Sequence, residues 1–262
     1  MTSIADTVRS ELRAAGDPER ARGTARFFKA GPGGYADGDR FLGVPVPVQR
    51  RIARRYAREV TLDDVALLLR GGWHEERLTA LLILVERFRR APAGERAEIV
   101  QLYLANTARV NNWDLVDSSA PYLLGQWLLG SAGAAGSGDR IPAGAPGAGP
   151  EMSPGAGPEI LHRLAGSSLV WDRRIAMLAT FAFVRAGDNG PTLALAERLV
   201  DDPHDLVRKA VGWMLREVGN RDREAAERFL REHCRTMPRV ALRYAIEKFP
   251  PELRRAYLDG TV

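Results

Sequence analysis

The residues best suited to chemistry lie in one short stretch, Asn111-Asn112-Trp113-Asp114-Leu115-Val116-Asp117-Ser118-Ser119-Ala120-Pro121. It follows a helical pattern that runs to Val110, and it opens another helix. Asn111 or Asn112 can cap that helix, because an Asn side chain accepts the free N–H groups of a first turn. Asp114 then sits in the first turn, where negative charge is favoured. Trp113 and Asp117 are four residues apart and share one helix face. An indole and a carboxylate held side by side are an unusual pair to place early in a helix. The same pair can equally be a buried Trp beside an Asp that bonds a neighbouring turn. The rest of the chain has to decide between these readings.

The elements around this stretch read as helices throughout. Ile4, Val8 and Leu12 recur at helical spacing over residues 3–16, and Asp17-Pro18 has the cap-then-proline signature of a second helix. That helix carries Phe27 and ends in a glycine-rich loop over 31–47. The loop has no strand before it and no Gly-Lys-Ser/Thr ending, so a nucleotide P-loop is not expected and a connecting loop is. Further helices are predicted from Pro47, from a Thr61 cap, over 73–90, over 92–110 and from Trp113 through Leu129. After these come helices near 158–166, 168–186, 190–201, 204–218, 222–235 and 237–248. No run alternates with period two for long enough to predict a strand.

Residues 131–158 break the pattern with Gly, Ala and Pro and almost nothing to bury. They are expected to be a flexible insertion within one domain spanning 1–262. Arg174-Ile175-Ala176, Arg208-Lys209-Ala210 and Arg243-Tyr244-Ala245 recur about every 35 residues, the period of paired-helix solenoids. Arg77-Leu78-Thr79-Ala80 and Asp117-Ser118-Ser119-Ala120 look like looser earlier copies. Such triplets also arise by chance in a chain rich in Arg and Ala, but one copy per helical pair favours an all-α solenoid of HEAT-like helix pairs with a concave binding side.

The formal net charge is +5, and only Lys29, Lys209 and Lys248 among the cations are lysines. Arginine favours bidentate phosphate contacts, so a nucleic-acid partner is permitted by this charge but not required by it. Cys234 is the one cysteine, which excludes an internal disulfide and fits a reducing compartment. The four histidines are scattered without metal-ligand spacing, so no metal is expected. No stretch reaches the ~20 apolar residues of a membrane span, and the N-terminus does not read as a signal peptide.

Several segments resemble the AlkD-like bacterial DNA alkylation-repair glycosylases. These are ARFFK with YADGDRFLGVPVPVQRR, then WHEERLTALLIL, and above all NNWDLVDSSAPYLLG, LVWDRRIAMLATF and LVRKAVGWMLREVG. The resemblance runs from about residue 20 to 250 and leaves out the insertion. By position it implies a catalytic carboxylate at Asp117 and paired tryptophans at Trp113 and Trp213. It implies Arg174 at the lesion phosphate, with Arg173 beside it. Arg208, Lys209 and Arg243 are the further candidates for phosphate contact. Two positions depart from the family pattern. Phe27 stands where a Tyr is frequent, and Pro45 replaces a polar residue; both bear on lesion preference.

The implied function is a monofunctional glycosylase acting on duplex DNA that carries N3- or N7-alkylated purines, with no cofactor. Such a base is already cationic and a good leaving group, so the help needed is for the sugar as it gains oxocarbenium character. Asp117 can stabilise that charge and orient water, the indoles can stack on deoxyribose, and Arg174 can hold a phosphate bidentately. The resemblance further implies excision without pocketing the base, in contrast to base-flipping enzymes, with tolerance of bulky adducts. A monomer in the bacterial cytoplasm, at the nucleoid, is expected. The competing reading is a non-catalytic HEAT-like module that binds branched or damaged DNA.

Overall fold

The computed structural model describes residues 3–137 and 157–262. Most of the expected flexible insertion lies outside the described residues, but its first part, through Ser137, is helical. Every described regular element is a helix, with no strand among the described residues. None of these helices is long and apolar enough to cross a membrane. The chain divides into two compact units, Met1–Ser119 and Ala120–Val262.

The N-terminal unit comprises α1 (Ile4–Ala14), α2 (Pro18–Phe27), α3 (Val46–Tyr56), α4 (Leu62–Leu69), α5 (His74–Phe88), α6 (Ala93–Ala105) and α7 (Trp113–Asp117). Its axis is α5, buried at every position from His74 to Val85, with α1, α3, α4, α6 and α7 packed on it. The caps follow the sequence signals. Asp17 accepts from the N–H groups of Glu19 and Arg20 at the start of α2, with Pro18 in the first turn. Thr61 and Asp64 form a reciprocal capping box on α4. Asn112, fully buried, caps α7 by accepting from Trp113 N–H at 2.8 Å.

The C-terminal unit begins with a single π-type turn, Pro121–Gly125, followed by α8 (Gln126–Ser137), α9 (Gly157–Ala165), α10 (Val170–Ala179) and α11 (Phe181–Ala186). It continues through α12 (Gly190–Leu199), α13 (Asp205–Gly219), α14 (Arg223–His233), α15 (Arg239–Ala245) and α16 (Pro251–Asp259). Here α10 packs on α13 and α13 on α15, while α9, α12 and α14 pack as second members of the pairs. The recurring triplets fall one on each of the three stacked helices. Their alanines, Ala176, Ala210 and Ala245, are buried, small residues that let neighbouring helices come close.

Among the boundaries that differ from the sequence expectations, three have a clear local reason. The helix expected through Leu129 ends at Asp117, because Pro121 has no N–H to return to the carbonyl four residues back. The chain re-enters helix through Gly125 N–H to Ala120 O, a five-residue step. The helix expected over 168–186 breaks at Thr180, whose hydroxyl donates to Met177 O at 2.7 Å and competes with the backbone ladder. Beyond the last expected helix lies α16, whose signal was Pro250-Pro251, a proline at the first helical position.

The closeness of α13 to α15 is set by Gly212. A methyl group there would lie 2.3 Å from Ala241 O and 2.6 Å from Tyr244 Cβ. Gly212→Ala is therefore expected to destabilise the C-terminal unit by roughly 1–3 kcal/mol, the usual cost of overpacking. Gly94→Ala on α6, where a methyl group meets nothing within 4 Å, should leave stability unchanged or raise it by up to ~1 kcal/mol. Urea unfolding of the two variants checks the contrast, and an equal effect of both would mean that helix separation is not fixed at Gly212.

Candidate active site

In the N-terminal unit the glycine-rich loop does more than connect. Lys29 turns the chain in the left-handed region (φ 54°) just after α2. At Gly43, φ is 77° and a methyl group would lie 2.2 Å from Asp17 O, so only glycine fits where the loop returns against α2. The returning segment is anchored by Glu75, whose buried carboxylate accepts from the N–H groups of Leu42, Gly43 and Val44 at 2.9, 2.8 and 3.3 Å. Tyr35, Asp39 and Phe41 are thereby held over the N-termini of α5 and α7.

Trp113 opens α7 in that setting. Its indole N–H donates to Tyr35 Oη at 3.1 Å, and its ring lies 5.2 Å from Phe28 and 5.9 Å, edge on, from Phe27. Phe27 itself is 66% exposed, an unusual position for a large apolar ring. A cavity of about 590 Å³ opens beside these rings, lined among others by Phe27, Phe28, Val44, Pro45, Leu78 and Trp113. Phe27 and Pro45 are thus both on its wall. Asp117, half-buried, closes α7 one turn after Trp113.

Behind Trp113 lies a charged group that sequence reasoning did not single out. His74, 2% exposed, has Nδ1 at 2.9 Å from Asp39 and Nε2 at 2.8 Å from Asp114. Both partners are carboxylates, which only accept, so both ring nitrogens carry protons. The ring packs against Phe41 and Phe28 at 4.8 and 5.0 Å. Burial alone would drive the imidazole toward neutrality, but the hydrogen bonds and charges of Asp114 and Asp39 outweigh it and hold the pKa up to about 9. Burial likewise pushes Asp39 up, and His74 and Arg77 outweigh it, holding that carboxyl below its usual range. Arg77 donates to Asp39 at 2.6 Å. These partners lie 35 and 40 residues from His74 in the chain, so no local spacing could have shown them.

In the C-terminal unit the expected cationic residues divide into two kinds. Arg173 grips Asp202 with Nε at 2.6 Å and Nη2 at 3.2 Å, and donates to Ser167 O and Ser168 O. Arg208 donates to Asp202 O at 2.5 Å and to Asp205 at 3.3 Å. Arg174, 5% exposed, donates to Leu206 O. All three therefore order the turn that starts α13. Lys209, half-buried on α13, and Arg243, exposed on α15, have no ion pair among the described residues. Trp213 lies one turn after Lys209 on α13, with its indole N–H donating to Glu217 at 3.1 Å. The structure thus brings Trp113, Asp117 and Phe27 together in one unit, and Arg173, Arg174, Arg208, Lys209, Trp213 and Arg243 in the other. No group of ligating side chains among the described residues could hold a metal ion.

The family model of the DNA alkylation repair enzymes matches residues 8–135 and 153–249, so the chain belongs to that family. Among solved structures, a protein of Enterococcus faecalis described as a predicted DNA alkylation repair enzyme superposes with a TM-score of 0.65 at 15% identity, covering 90% of this chain and 97% of that one. The Streptococcus mutans UA159 protein smu.31 superposes with a TM-score of 0.53 at 14% identity, covering 78% of this chain and 92% of that one. At such identities the likeness is one of fold. No curated protein matches the sequence.

The paired imidazolium has a thermodynamic consequence. The folded pKa of His74, about 9, lies above its ordinary value of 6.5. Its contribution to stability is complete below about pH 6.5, declines as pH rises, and is gone above about pH 9. Urea midpoints measured across this window should fall with pH in the wild type and fall less in His74→Gln. A wild-type midpoint that is flat across it would mean the ring is not charged in the folded protein.

Proposed function

We propose that the chain is a monofunctional DNA glycosylase that hydrolyses the N-glycosidic bond of N3- or N7-alkylated purines in duplex DNA. The observation that carries the reading is α7 itself: a half-buried carboxylate, Asp117, one turn from an indole, Trp113, that is fixed by Tyr35 and Phe28. The alkylated base leaves with its own positive charge neutralised, so no acid is required. The electron-deficient sugar is stabilised by Asp117, which also orients the attacking water. Water adds to the sugar carbon, its proton passes to Asp117 or to solvent, and the neutral base departs. Trp113 offers an aromatic face to the sugar, and Trp213 is the candidate of the same kind in the C-terminal unit. Membership in a family of DNA alkylation repair enzymes supports the substrate class.

The phosphate contacts fit best on Lys209 and Arg243, whose charges are uncommitted within the unit. Arg173 and Arg208 spend donors on Asp202 and support α13 instead. Arg174 donates to Leu206 O and so supports the start of α13 as well. Lys209→Ala should weaken duplex binding regardless of sequence and lower the salt slope by about one. An unchanged slope would place Lys209 away from the DNA. Excision without base flipping and activity in a monomer belong to the same reading.

Asp117→Asn keeps size and helix position while removing charge. Single-turnover release of N7-methylguanine or N3-methyladenine should drop on the order of 10² or more, with affinity for lesion DNA little changed. Full activity in that variant would reject Asp117. Absence of release by the wild type, on these and on bulkier cationic adducts, would favour the non-catalytic DNA-binding module.

A further inference from the structure

We infer that His74 is a positioning residue for the catalytic helix: bridging Asp39 and Asp114, it fixes the first turn of α7 and so the bearing of Trp113 and Asp117, and it cancels the charge of Asp114 beside Asp117. The inference rests on the glycosylase reading for the role of Asp117, but not for the mechanical link.

The link is geometric. A five-residue helix has barely one turn of its own hydrogen bonds, and helix formation starts at a loss. Outside contacts must therefore hold α7. Asn112 caps it, and the side chain of Asp114 folds back to accept from Leu115 N–H at 2.9 Å. The other oxygen of Asp114 accepts from His74 at 2.8 Å, and through His74 the turn is tied to Asp39 and Arg77. A second tie from the same loop, Tyr35 to the Trp113 indole, runs parallel to the first. Loop, α5 and α7 thus share one clamp.

The electrostatic part follows from helix spacing. Asp114 and Asp117 are three residues apart on α7, which makes them neighbours on the helix surface. Like charges at that spacing repel. Pairing with the imidazolium offsets the charge of Asp114 beside that of Asp117. The charged groups that bond the His74 ring are Asp39 from the loop and Asp114 from α7, and Arg77 on its own helix donates to Asp39. Arg40 meets His74 through the backbone, its carbonyl accepting from His74 N–H at 2.8 Å. Glu75 is committed to the loop amides, and Phe28, just after α2, lays its ring against His74. Asp39 and Asp114 are thus the groups that hold the ring charged.

The test follows single-turnover release of N7-methylguanine between about pH 6 and about pH 10, with uncatalysed loss subtracted. It uses the full chain as wild type, Asp114→Asn, Asp39→Asn and His74→Gln. The indole N–H resonance of Trp113 and the His74 ring are titrated by NMR in the same proteins without DNA. In the wild type the rate should fall about tenfold or more as His74 loses its proton, with lesion-DNA affinity held, and the Trp113 resonance should move with the same midpoint. In Asp114→Asn and Asp39→Asn both midpoints should move down by about a unit or more, one carboxylate having been withdrawn. His74→Gln should be slow and lack the alkaline limb. A wild-type rate without that limb, a limb that stays in place in Asp114→Asn, or a Trp113 resonance indifferent to His74 overturns the proposal. If His74→Gln does not fold, the two Asn variants, which keep an acceptor at each position, carry the test. If the wild type releases no base at all, the glycosylase reading fails, while the coupled NMR titration still decides the link between His74 and Trp113.

Discussion

A charged ring buried between two carboxylates is the interaction on which the N-terminal unit depends. Removing an imidazolium from water costs several kcal/mol unless it is paired and hydrogen-bonded. His74 is paired on both sides, and Arg77 balances the second negative charge. Because the partners come from the loop and from α7, the pairing cannot form until both are in place on α5. The glycine-rich loop is thereby fixed without regular structure. The first turn of α7 acquires the support that its length denies it, and the rings of Phe28, Phe41 and Trp113 are gathered around one point. Glu75, the next residue, secures the same loop by its backbone amides, so two adjacent positions on α5 serve one purpose.

In the C-terminal unit arginine plays the corresponding part. Arg173, Arg174 and Arg208 converge on the turn from Asp202 to Leu206 and bind it through carboxylate and carbonyl oxygens. The turn precedes α13, the helix that carries Lys209 and Trp213. Cations that looked available from sequence are thus partly spent on holding the elements that present others. This distinction matters for any account of DNA binding, since a guanidinium already bound bidentately has little left for phosphate.

The helices were legible in the sequence wherever an apolar face recurred, as with Val8 and Leu12 in α1 or Val65, Leu68 and Leu69 in α4. Caps at Asp17 and Thr61 were legible too, and that of α7 to within Asn111 or Asn112, because capping is a local matter of one side chain and the next two or three N–H groups. The breaks were harder. Periodicity continues across Pro121 and Thr180, since both sides of each break are apolar, while the backbone does not. Of the candidate site, Trp113 and Asp117 stood out as an indole and a carboxylate four residues apart, and Phe27 through the resemblance. His74, Asp39 and Asp114 were not, because their meaning arises only when three distant segments meet. The commitment of Arg173 and Arg208 to Asp202 was hidden for the same reason.

The central claim is that Asp117 acts by stabilising positive charge on the sugar, so the most direct measurement uses DNA in which that charge is permanent. Duplexes are prepared with a cationic pyrrolidine ring in place of the lesion sugar, and with its neutral tetrahydrofuran counterpart. The account requires the wild type to bind the cationic duplex more tightly, on the order of 10-fold or more, and Asp117→Asn to lose that preference while binding the neutral duplex unchanged. Equal affinity of the wild type for the two duplexes, or a preference that survives in Asp117→Asn, would contradict it.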